Sequence, residues 1–158
     1  MNSAYTYKIQ SLKKIRSLSL QIMQDLTLEQ LNYVPSGINN NIIWNAGHLI
    51  AAQQGVCYMR AGLPTMISTD FYSAYKPGTK PEAPLGEEEV KYIKEMLLTS
   101  IDRFETDLEK NLFGNYMPWT TRYGVELRNI DEAVDFLPFH EGMHLGYMLA
   151  LRRLSINS

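Results

Sequence analysis

The chain is 158 residues long, 45% hydrophobic and 20% charged, the profile of one globular domain over residues 1–158 with room to bury a core. Its formal net charge of -2 leaves no basic field for nucleic acid, and no run of about 18 apolar residues exists to span a bilayer. The lone cysteine, Cys57, and an N-terminus without the apolar stretch of a signal peptide lead us to expect a protein of the reducing cytoplasm.

The first helix is predicted from about Ser3 to Leu26, where Ile9, Leu12, Ile15, Ile22 and Leu26 recur at helical spacing with Lys8, Lys13, Lys14 and Arg16 between them. Thr27 is placed to cap a further short turn, since Glu29 and Gln30 follow it closely, and Pro35-Ser36-Gly37 then breaks the chain. A second helix begins near Asn39-Asn40-Asn41 and runs to about Ala61, where Gly62 and Pro64 stop it. On that helix His48 shares a face with Trp44, Asn45, Ala51, Ala52 and Gly55; Cys57 falls about half a turn away. From Gly62 to Gly86 the chain reads as a long loop packed by its own Phe71, Tyr72 and Tyr75. The third helix, about Glu87 to Lys110, carries Val90, Ile93, Leu97, Ile101, Phe104 and Leu108 in steps of three and four, the seam of a bundle helix. Asn111 to Arg128, rich in aromatic and β-branched residues, predicts a short hairpin or extended loop. The fourth helix starts at Asn129, with Glu132 as a capping-box partner, and ends near Leu154.

The fourth helix holds the chemistry. His140 and His144 stand four apart, one above the other, on the stripe that also carries Ala133, Phe136, Leu137, Tyr147 and Leu151. Buried imidazoles need partners for both ring nitrogens, and a divalent metal would satisfy one nitrogen of each. His48 is the only other histidine in the chain, so every histidine could belong to one site. The competing reading is of core histidines bonded to tyrosines or carbonyls. His140-Glu141-Gly142-Met143-His144 also matches H-E-x-x-H, the zinc-protease signature in which the glutamate is a general base. Such proteases take a third ligand downstream, but residues 145–158 contain no Asp, Glu, His or Cys. An ordinary zincin is therefore excluded. Two ligands survive, with Glu141 as a candidate base or supporting group.

With these residues in view, the arrangement resembles the DinB/YfiT-like metal-binding four-helix bundles. Asn41-Ile-Ile-Trp44-Asn-Ala-Gly-His48-Leu-Ile is similar to their second-helix motif, and the run from Phe139 through His140, His144 and Arg152-Arg153 is similar to their last helix. The resemblance implies an all-α bundle of up-down-down-up type, with a long crossover loop after helix two and a short hairpin-like insertion before helix four. It also implies a divalent metal, zinc or nickel, on His48, His140 and His144. Relatives include thiol-dependent transferases, bacillithiol- and mycothiol-dependent ones among them.

Three neutral imidazoles at about 2.0–2.1 Å leave a position open, where a thiol or water loses its proton more readily. The leading expectation is a metal-dependent S-transferase that joins a low-molecular-weight thiol to a small electrophile. Glu141 or a water would take the proton, and Trp44, Tyr72, Tyr75 and Tyr147 would line the pocket. Arg60, Lys76, Lys80 and Arg122 are candidates for a thiol's carboxylates, against ordinary surface solvation. The rival expectations are a metal-water hydrolase and a bundle that binds metal or ligand without turnover. Small and apolar residues on the outer face of helix four (Pro138, Gly142, Leu145, Gly146, Leu149) predict a homodimer, or else a face covered by the 111–128 insertion.

Overall fold

The structure, a computed structural model, describes residues 3–157. In chain order the elements are α1 (Ser3–Met23), the short α2 (Leu28–Asn32), α3 (Ile42–Gln53), the short α4 (Thr69–Tyr75), α5 (Glu87–Glu109), a hairpin of β1 (Trp119–Thr120) and β2 (Glu126–Leu127), and α6 (Ile130–Ser155). α1 packs on α5 and α6, and α3 packs on the same two, so the four long helices make an all-α bundle.

The helix starts follow from their caps. Thr27 and Gln30 form a capping box at α2, with the Gln30 amide donating to Thr27 Oγ1 at 3.2 Å and the Thr27 amide donating to Gln30 Oε1 at 3.0 Å. Asn41 Oδ1 accepts the Trp44 amide at 2.8 Å to open α3, and Asn129 Oδ1 accepts the Glu132 amide at 3.0 Å to open α6. Beyond Gln53 the second long helix continues through a π turn, Gln54–Tyr58, and a 3-10 turn, Met59–Ala61, before Gly62 at φ 69° ends it.

The 62–86 segment differs from the expected loop. Thr69–Tyr75 is helical, opened by Ser68 Oγ accepting the Phe71 amide at 3.1 Å. The aromatics at 71 and 75 are a helical step of four apart, and their ring centroids sit 4.6 Å apart. The predicted hairpin is present, with Trp119 opposite Leu127 and Thr120 opposite Glu126.

Inside the bundle the apolar core is split. One cluster gathers Met23, Ile42, Ile50, Ile93, Leu97, Met148 and Leu151; the other gathers Ile9, Leu12, Phe104, Leu108, Val134 and Leu137. On α1, α5 and α6, buried polar residues lie between the two in sequence: Arg16 and Ser19, then Ser100, then His140 with Glu141; on α3, His48 is buried within the stretch that serves the first cluster. Such a layer costs desolvation unless each group in it is paired.

Close approach of α4 depends on Gly47. A Cβ at that position would lie 2.6 Å from two ring carbons of Tyr75. Gly47→Ala is therefore expected to cost about 1–3 kcal/mol, despite alanine's better helix propensity. Calorimetry checks this, and an unchanged melting temperature would mean that the ring gives way freely.

Candidate metal centre

His48 reaches the polar layer from α3, and His140 and His144 reach it from α6. One ring nitrogen of each lies within 4.8 Å of the others. His48 Nδ1 lies 2.7 Å from the Tyr75 carbonyl oxygen, which can only accept, so that nitrogen carries the proton and Nε2 has a free lone pair. His144 Nδ1 lies 2.8 Å from Asn45 Oδ1. Asn45 Nδ2 donates to Asn40 Oδ1 at 3.0 Å and to the Asn41 carbonyl at 2.7 Å, which fixes Oδ1 as the atom facing the histidine. His144 Nε2 is thus also left as a lone pair. Partners on the far nitrogen set the tautomer and aim the ring in this way at metal sites generally.

His48 Nε2 and His140 Nε2 are 3.4 Å apart. Two ligands at about 2.0–2.1 Å from a tetrahedral zinc are separated by roughly 3.3–3.4 Å, so this spacing fits a shared ion. The donor set also fits: three imidazoles suit zinc and nickel. Burial is the main force pushing His140 down to about 3 and His144 down to about 4, helped by the neighbouring imidazoles and by the Arg122 guanidinium. His48 is lowered as well, again chiefly by burial, against the pull of its bond to Tyr75. All three are neutral near pH 7 and able to ligate. Trp44 stacks on His48 with ring centroids 5.0 Å apart and planes 11° from parallel, and Phe136 stacks on His140 at 5.8 Å. These two rings shield the outer flanks.

Glu141 sits elsewhere. One residue on from His140 it is turned about 100° round the helix. There both its oxygens accept from Arg16, with Nη2 to Oε1 at 2.7 Å and Nε to Oε2 at 3.0 Å, and both side chains are fully buried. Arg16 also donates from Nη1 to the Leu97 carbonyl at 2.9 Å and to Ser100 Oγ at 2.7 Å, and from Nη2 to the Leu49 carbonyl at 3.3 Å. One guanidinium from α1 therefore ties together α3, α5 and α6. In the sequence alone, Arg16 reads as a charge between core positions. Its signal was the run Ile9, Leu12, Arg16, Ser19, Met23, whose steps of three and four put Arg16 on the buried stripe.

A cavity of about 210 Å³ opens beside His140, lined among others by Tyr72, Arg60, Trp119, Arg122 and Tyr123. Of the aromatics expected around the site, Tyr72 lines this cavity. Trp44 stacks on the ligand instead, and Tyr75 contributes its carbonyl while its ring packs on Gly47 and Phe71. Tyr147 is 38% exposed and is not among the cavity's walls. Arg60 and Arg122 reach the cavity, whereas Lys80 lines a separate 420 Å³ cleft with Trp44, and Lys76 is exposed. The hairpin wall of Trp119, Thr121 and Tyr123 was missed in the sequence; its aromatic richness just before the ligand helix was the available signal. Cys57 is fully buried, its thiol pushed up chiefly by burial, and it is not part of the histidine cluster.

No curated protein and no solved structure matches the chain. The family model described as DinB superfamily matches residues 11–148, a span that takes in all three histidines, Arg16 and the cavity walls, and the chain belongs to that superfamily.

Proposed function

We propose that this protein binds one divalent metal ion, zinc or nickel, on His48, His140 and His144, and acts as a metal-dependent thiol S-transferase on a small electrophile. The observation that carries the reading is the meeting of three neutral imidazoles, at least two with Nε2 free, at the edge of a cavity. Bound there, the cation would supply Lewis acidity that lets a thiol give up its proton near neutral pH. The chain's own residues do the rest. Tyr75 and Asn45 hold the ligand tautomers, Trp44 and Phe136 exclude water from the ring flanks, and Tyr72, Trp119 and Tyr123 enclose the reactants. We assign Glu141 a positioning role through Arg16, which leaves a cavity water to accept the thiol proton. His140 at the cavity wall, with no Cys, Asp or Glu joining the histidine cluster among the described residues, favours an open ligand position over a closed structural site.

Metal-loaded protein is expected to accelerate the attack of small thiols on 1-chloro-2,4-dinitrobenzene, with His144→Ala at least about 100-fold slower. Equal rates in the two proteins would eliminate the transferase. We further place a homodimer contact on the outer face of α6. There Gly142 and Gly146 are exposed with open space where a Cβ would be, so the 111–128 insertion does not cover them. Phe139 is 52% exposed and Leu149 46% exposed alongside them. Light scattering is expected to give twice the 18.1 kDa chain mass, and Leu149→Asp to halve it; a wild-type monomer refutes the contact.

A further inference from the structure

We propose that the cavity beside His140 is an anion receptor: the transferase's small reactant is an amino-acid-sized carboxylate, held by Arg122 and Arg60. The inference rests on the metal-centre reading above and adds the substrate class. Its basis is a charge imbalance. The three ligands are neutral, so a divalent ion on them keeps its full charge. Two guanidiniums face the same cavity, whose walls contain no Asp or Glu. Among the described residues neither Arg60 nor Arg122 has a carboxylate partner, whereas the one carboxylate in the polar layer beside the ligands, Glu141, is already neutralised by Arg16.

Arg60 is half-buried and Arg122 exposed, and like charges gathered around one hollow repel one another unless an anion sits among them. The aromatic walls hold these arginines in place: Arg60 lies over the Trp119 ring at 4.3 Å, and Arg122 lies 5.9 Å from the Tyr123 centroid. In each case a planar guanidinium keeps its edge donors available for a carboxylate. A volume of 210 Å³ equals about seven waters and falls below the ~300 Å³ where drug-sized pockets begin. A larger thiol would have to leave most of itself outside. An amino-acid-sized acid fits, its carboxylate between the arginines and its reacting atom toward His140.

The test compares propionate with propionamide, its neutral isostere, by quenching of tryptophan fluorescence on metal-free and zinc-loaded full-length protein. Propionate is expected to bind at least about tenfold more tightly in both forms. Arg122→Gln, at an exposed position that does not threaten folding, should bring the two ligands within about twofold while zinc stoichiometry stays at the wild-type value. Arg122→Lys should keep only part of the preference, having charge without the fork. Equal affinities in the wild type, or a preference unchanged by Arg122→Gln, would overturn the proposal. Failure to take up zinc would sink the metal reading alone, because the metal-free comparison still decides whether the arginines select an anion.

Discussion

Glu141→Ala and Arg16→Met are each expected to lower stability by about 3–5 kcal/mol, the cost of leaving one member of a buried ion pair without the other. In a chain of this size that corresponds to a fall of roughly 6–20 °C in melting temperature. The geometry puts the effect at the upper end. All five N–H donors of Arg16 find acceptors, on Glu141, Ser100 and two backbone carbonyls, so losing the carboxylate strands a charge at the meeting point of four helices. Replacing both residues by apolar ones, Arg16→Met with Glu141→Leu, removes the charges together and should recover most of the loss. Calorimetry on the three variants tests this, and single variants within about 1 kcal/mol of wild type would refute it. The double variant also separates the two roles open to Glu141. If the glutamate only positions α6, the refolded double variant keeps its thiol-transfer rate per bound metal; if it takes the proton, the rate falls by a factor of about 100 or more.

The same pair shows where the sequence was legible and where it was not. Periodicity is clearest in α5, which buries one stripe, whereas α3 is buried all round and was marked by its ends; caps at Asn41 and Asn129 gave the starts of α3 and α6, and Thr27 that of the short α2. Motif spacing brought His140 and His144 together, and counting histidines brought in His48. Only the packing of α3 against α6 could show that they meet. For Glu141 the protease signature assigns a role by distance along the chain, whereas the partner its carboxylate holds comes from a helix 125 residues away. Arg16 was hidden by its chemistry. A charged residue on a core stripe looks like a break in the pattern until its counter-charge is known. Likewise the helical turn at Thr69–Tyr75 was concealed among prolines at 64, 77, 81 and 84, all of which fall outside it.

Loss of any one ligand is expected to weaken metal binding by about 10²–10⁴-fold. Zinc on a structural set of protein ligands contributes about 10–16 kcal/mol, and a similar total shared over three imidazoles gives roughly 3–5 kcal/mol each. Asn45→Ala leaves the ligands in place but frees the His144 ring, and should weaken binding by about 10–100-fold. Competition against a chromogenic chelator measures both, and wild-type affinity in His48→Ala would refute a three-histidine centre. Acid should act on the metal-free protein through the same rings. Their pKa values are lower in the folded chain than the ordinary 6.5, so between pH 6.5 and about 3 the unfolded chain binds more protons. Stability is then full above pH 6.5 and is lost progressively as the pH falls through that window, by a few kcal/mol for His140 alone. His140→Leu removes the larger of these shifts, and its melting temperature should fall less steeply between pH 6.5 and 4 than that of the metal-free wild type. Parallel pH profiles for the two would show that His140 is not held neutral by burial, and with it would go the reason this ring stands ready to take a metal at neutral pH.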